Sequence, residues 1–128
     1  MTFDRKYLIW ALGYAVAGMC VGLYMAASEN HAEFVAHAHI LLIGFAVSFF
    51  YGIIHKLWLP QPRKTVARVQ FIVHQVATFG VSVGLLLVYG GAVPEATIGP
   101  YVGVAAAGVL AGMLLMMYMV ISARPSPA

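Results

Sequence analysis

The sequence predicts an all-α, polytopic membrane four-helix bundle with both termini on the cytoplasmic side, and three observations carry that reading. Of the 128 residues, 62% are apolar and only 9% charged, too apolar for the large relative surface of so small a soluble domain. Four stretches contain no Asp, Glu, Lys or Arg: Tyr7 to Ser28, Phe34 to His55, Val69 to Pro94 and Ala96 to Ala123. Each has at least the roughly 20 residues that a helix needs to cross about 30 Å of hydrocarbon. The charges between these stretches then segregate by sign.

Arg5 and Lys6 precede the first span, which is expected at about residues 7–27. The second span, about 34–57, is followed by Lys56, Arg63, Lys64 and Arg68 around the stiff, aromatic connection Trp58-Leu59-Pro60-Gln61-Pro62. The third, about 67–90, ends in the turn composition Gly90-Gly91-Ala92-Val93-Pro94-Glu95, and the fourth, about 98–122, is followed by Arg124. Short connections make the joined helices antiparallel neighbours. All seven basic residues fall on one side, while Glu29, Glu33 and Glu95 fall on the other. The positive-inside rule makes the basic side cytoplasmic. The expected location is the cell inner (cytoplasmic) membrane, with residues 1–128 as one domain. Anionic lipid accounts for the pI near 9.2, and no nucleic acid is expected. Continuous apolarity excludes barrel strands, which alternate, and no short apolar segment has the form of a cleaved leader. Cys20 is the single cysteine and is expected to be a small packing residue in the first span.

Small residues recur at spacing four: Gly18 and Gly22; Gly44, Ser48 and Gly52; Gly80 and Gly84; Gly99, Gly103, Ala107 and Ala111. In lipid such stripes allow close helix approach. Most are expected to pack one bundle, but four stripes also point to association of copies.

The histidines carry the chemistry. Four of five lie in or at the ends of apolar spans, where an ionisable group is costly and marks a site by default. His37 and His39 are two apart, so on a helix they point about 200° apart and serve two sites, one on each face. A single metal would want ligands three or four apart. Neutral imidazoles flanked by Ala36 and Ala38 in an all-helical setting suit haem iron. Zinc lacks a cysteine pair or carboxylate within the spans. Copper is a lesser alternative drawn from Met113, Met116, Met117 and Met119, which fall on several faces. Counted along the helices, His37 and His39 lie about 5 and 8 Å below the outer boundary, and His74 about 8 Å above the inner one. That offset of on the order of 14 Å keeps His74 from facing His39 across one haem. His74 is left as the holder of a second metal or a quinone in an enzyme of modest size, or as a hydrogen bond across the bundle, with Gln70, Gln75 and Thr78 nearby. His55 is expected at the inner interface and His31 in solvent.

The run His37-Ala38-His39-Ile40-Leu41-Leu42-Ile43-Gly44, followed by Phe49-Phe50-Tyr51-Gly52, resembles subunit I of the haem-copper oxidases and its short four-helix relatives. In that family twelve helices form three quasi-repeats of four, and a His-x-His pair on the second helix of a repeat binds two haems. The chain resembles one such repeat, in topology throughout and in motif over residues 36 to 52. The resemblance implies haem b as cofactor, with His37, His39 and Gly44 in its site. The departures are a motif one residue shorter, the single His74 in place of a His-His pair, no acidic residue within the spans and no outer arginine. A full oxygen-reducing centre is therefore not expected. What remains is a membrane b-type haem protein for electron transfer, with bis-His haem shared between copies of a homotrimer. Its expected partners are the lipid bilayer, further copies of the chain, and a quinone or redox protein. Its rivals are a gas-binding or redox-sensing haem protein, and a haem-free accessory protein for oxidase assembly or copper handling.

Overall fold

The computed structural model describes residues 1–124 and is all-helical over them; residues 125–128, the end of the expected domain, lie outside the described residues. Four helices are long and apolar enough to cross a membrane: α1 (Phe3–Ser28), α2 (Phe34–Leu57), α3 (Lys64–Tyr89) and α4 (Glu95–Ile121). Three of them begin before the uncharged stretches do, at Phe3, Lys64 and Glu95 rather than Tyr7, Val69 and Ala96. A helix does not stop where hydrocarbon stops, and Asp4 and Glu95 in the first turns of α1 and α4 complement the helix dipole there. α1 ends at Glu29, whose left-handed φ of 54° turns the chain toward α2.

The four helices pack in chain order. α1 lies along α2, α3 touches α1, α2 and α4, and α4 rests chiefly on α3. Both long seams are made of glycine. Gly18 on α1 lies under Leu41 and Ile40, and Gly44 and Gly52 on α2 lie against Tyr14 and the first turn of α1. Between α3 and α4, Gly80 and Gly84 lie against Ala105 and Val102, and Gly108 and Gly112 against Ala77 and His74. Gly99 and Gly103 instead have open space beside them, and Ala107 and Ala111 are exposed, so this fourth stripe faces away from the bundle. Cys20, expected in the packing, is also exposed on the outer face of α1. The position two residues after Gly18, about 200° round the helix, points away from the α2 seam.

α2 departs from the regular helix that its composition predicts. Ile40–Val47 is wound as a π-helix between α-helical ends. The buried positions Ala36, Ile40, Gly44 and Ser48 explain why. Each step of four overshoots an α-turn by about 40°, so three steps would carry the buried line well off one face. The wider π-turns restore the alignment, and all four residues meet their neighbours.

Two expectations follow. Replacing Gly44 by Ala would place a methyl 2.5 Å from Tyr14 Cγ and 2.8 Å from its Cβ, which no side-chain rotation relieves. The change should cost about 1–3 kcal/mol, read as a lower midpoint of thermal unfolding in detergent. Glu33, at the end away from the basic residues, has a buried Oε2 without a partner, and burial raises its carboxyl above the ordinary 4.5. The folded state thus prefers the proton, and stability is lost as pH rises through the raised value. Glu33→Gln should be more stable than the parent at neutral pH, with the gap closing as pH falls toward 4.5.

Candidate functional site

His37 and His39 stand in the last turn before the π-segment of α2, on either flank of the buried line through Ala36 and Ile40. Both are half-buried, and Ala38 between them is exposed. Their ring nitrogens are not equivalent. His37 Nδ1 lies 2.8 Å from the Gly18 carbonyl of α1, and His39 Nδ1 lies 2.8 Å from the Val35 carbonyl one turn back on α2. A carbonyl oxygen can only accept, so each Nδ1 carries the proton and donates it, and each Nε2 keeps its lone pair. A histidine held through Nδ1–H to a carbonyl is the arrangement in which the other nitrogen serves a metal. Gly22 makes the pose of His37 feasible, since a methyl there would stand 3.0 Å from Cε1 of the ring.

Haem asks the protein for only one or two axial nitrogens, because the macrocycle fills the other positions. These two imidazoles meet that demand. Among the described residues no three His, Cys, Asp or Glu side chains gather as a metal cluster, so His37, His39 and His74 do not form one polyhedron. Gly44 lies one turn deeper, and its open face is taken by the Tyr14 ring. The methionines divide: Met116 and Met119 belong to the core, Met117 is exposed, and Met113 accepts a hydrogen bond from Tyr51 Oη at 3.3 Å.

His74 is fully buried on α3. Its Nε2 lies 2.9 Å from Ser48 Oγ on α2, and the Tyr51 ring meets it edge-on with centroids 4.8 Å apart. This is the hydrogen bond across the bundle. It belongs to a polar core that the sequence shows only in part. Tyr7 Oη on α1 donates to Gln70 Oε1 on α3, and Gln70 Nε2 donates to the Gly112 carbonyl of α4 at 3.2 Å. Gln75 and Thr78 are buried beside His74. The glutamines and Thr78 were visible as polar residues within a span, but Ser48 read as one of a stripe of small residues and Tyr7 and Tyr51 were assigned no polar role. The tyrosines' spacing from Arg5 and Lys56 gives no sign that they point inward. His55, expected to be an ordinary interfacial residue, is instead buried at 4% exposure between the rings of Phe3 and Tyr7. His31 is exposed, as expected.

Beside this geometry the comparisons add nothing. No family model, curated protein or solved structure matches the chain. The likeness to oxidase subunit I rests on the His37 to Gly52 motif and the four-span order alone.

Ser48→Ala should leave both nitrogens of a buried imidazole without a partner, since His74 Nδ1 already lacks one. The expected cost is about 1–3 kcal/mol. It should be read in detergent as a fall in unfolding midpoint with His37 and His39 untouched.

Proposed function

We propose that the chain is a membrane-bound b-type haem protein that transfers electrons, with His37 and His39 as axial ligands contributed to haems shared between copies. One observation carries the reading: two imidazoles within a membrane span each commit Nδ1–H to a backbone carbonyl and keep the Nε2 lone pair. A half-buried histidine that served packing alone would gain nothing from leaving its second nitrogen without a partner in lipid. The π-segment beginning at the next residue supports it, because such interruptions concentrate at functional sites.

When bound, haem supplies a one-electron redox centre, and two axial imidazoles leave its iron no open position for oxygen chemistry. The residues of the chain fix the ring planes, exclude water and hold each proton on the nitrogen away from the metal. Because the two histidines flank α2 on opposite sides, one chain offers one ligand to each of two pockets, and each pocket is completed by another copy. Ligands that face apart build a closed ring, and we favour a trimer. The outward stripe Gly99, Gly103, Ala107 and Ala111 gives the copies a face for close helix contact. The basic end lies in the cytoplasm by the positive-inside rule, which puts the histidines in the outer half of the membrane. A quinone or a redox protein is the partner class that such a centre serves.

The test is a reduced-minus-oxidised spectrum of the detergent-purified protein beside His37→Ala and His39→Ala, with haem supplied during expression. The parent should show a low-spin b-type signal that each variant loses or turns high-spin, and Gly22→Ala should perturb it as the His37 change does. Native mass spectrometry should find haem only in the oligomer. No haem in the parent overturns the reading, and haem held by a strict monomer overturns the sharing of ligands.

A further inference from the structure

At the basic end, a cavity of about 960 Å³ opens between the start of α1, the end of α2 and the start of α3. Five of the seven basic residues of the chain line it: Arg5, Lys6, Lys56, Lys64 and Arg68. One carboxylate, Asp4, shares it and is 3.9 Å from Lys56 Nζ. The cations therefore outnumber the anion by five to one in a single recess.

Two further features face the same space. α1 and α3 both begin at its wall, and neither Thr2 nor Arg63 caps its helix through a side chain. The first N–H groups of α3 thus lack intrahelical partners and carry the positive end of its dipole, whereas Asp4 already complements the first turn of α1. His55 lines the inner wall of the cavity at 4% exposure, and neither of its ring nitrogens has a hydrogen-bond partner. Its ring is clamped between Phe3 and Tyr7, with centroids at 5.4 and 5.6 Å. Aromatic rings cover both of its faces, so only its edge can serve a ligand. A buried imidazole whose nitrogens are unpaired in a cationic recess is a donor waiting for an acceptor.

We infer that this cavity is a binding site for a phosphate-bearing anion, held by Arg5, Lys6, Lys56, Lys64 and Arg68 at its mouth and by His55 at its inner wall. Phosphate matches the arrangement because it offers several acceptor oxygens to donors from several directions. The same chemistry is presented by the phosphodiester of an anionic lipid headgroup and by free phosphate. The position between helix ends at the membrane surface is open to both.

The full chain in detergent would be titrated with phosphatidylglycerol, phosphatidylcholine and inorganic phosphate. Native mass spectrometry would count adducts, and intrinsic fluorescence would give the unfolding midpoint. One saturable phosphatidylglycerol per chain, without phosphatidylcholine binding, supports the site with lipid as its source. A saturable rise in midpoint with inorganic phosphate supports it with free phosphate as the source. Lys64→Gln with Arg68→Gln should weaken that binding by about tenfold. His55→Phe, which keeps the aromatic stack, should weaken it by roughly threefold to tenfold. Arg63→Gln with Arg124→Gln removes the same charge from the same end, but outside this cavity. Equal losses in the two double variants would reduce the effect to diffuse surface charge and overturn the site, as would the absence of saturable binding by either anion.

Discussion

A polar side chain on a helix long and apolar enough to cross a membrane needs its partner inside the protein, and that constraint organises the whole bundle. α3 carries Gln70, His74, Gln75, Thr78 and Ser82 on its buried face. Each must be met from within the chain or leave a costly orphan. α1 answers Gln70 with Tyr7 and α4 answers it with the Gly112 carbonyl, α2 answers His74 with Ser48, and the side chains of Gln75 and Thr78 are left without partners. The helix that looks least suited to lipid is therefore the one that all the others touch. The bonds fix the depth and rotation of each neighbour, which apolar contact alone leaves loose when the solvent is equally apolar.

Glycine makes those bonds reachable. Gly112 brings the α4 backbone against His74, and Gly44 and Gly52 admit Tyr14 and the first turn of α1. The π-segment of α2 belongs to the same economy of register. It keeps Ile40, Gly44 and Ser48 in line, so that Ser48 reaches His74 while His37 and His39 stay on the flanks, more than two turns away along α2. The candidate ligands themselves are posed by the Gly18 and Val35 carbonyls.

The fold class was legible because lipid writes it in composition: four uncharged runs and one-sided basic residues leave little freedom. Helix ends were less legible, since Asp4, Lys64 and Glu95 belong to helices yet lie outside the uncharged runs. The flanking disposition of His37 and His39 followed from their spacing, but the bond of each Nδ1 did not. The partner of His37 is a backbone carbonyl nineteen residues away, and no side chain announces it. The π-winding was hidden for a similar reason, because the run from Ile40 to Val47 is apolar under either winding. His55 was misjudged because its neighbour Lys56 signals an interface, while the Phe3 and Tyr7 rings that enclose it come from the other end of a long sequence separation.

The dependence of α1 and α2 on α3 also has a consequence for how the protein is made. The ribosome delivers α1 and α2 first, so Tyr7 and Ser48 are made before their partners exist. α3 then arrives with its row of amides and hydroxyls, which find those partners only in the groove that α1 and α2 form. α4 follows immediately and seals the seam through Gly108 and Gly112. A chain arrested after α2 therefore holds two helices long and apolar enough to cross a membrane, but none of the polar interior that α3 supplies.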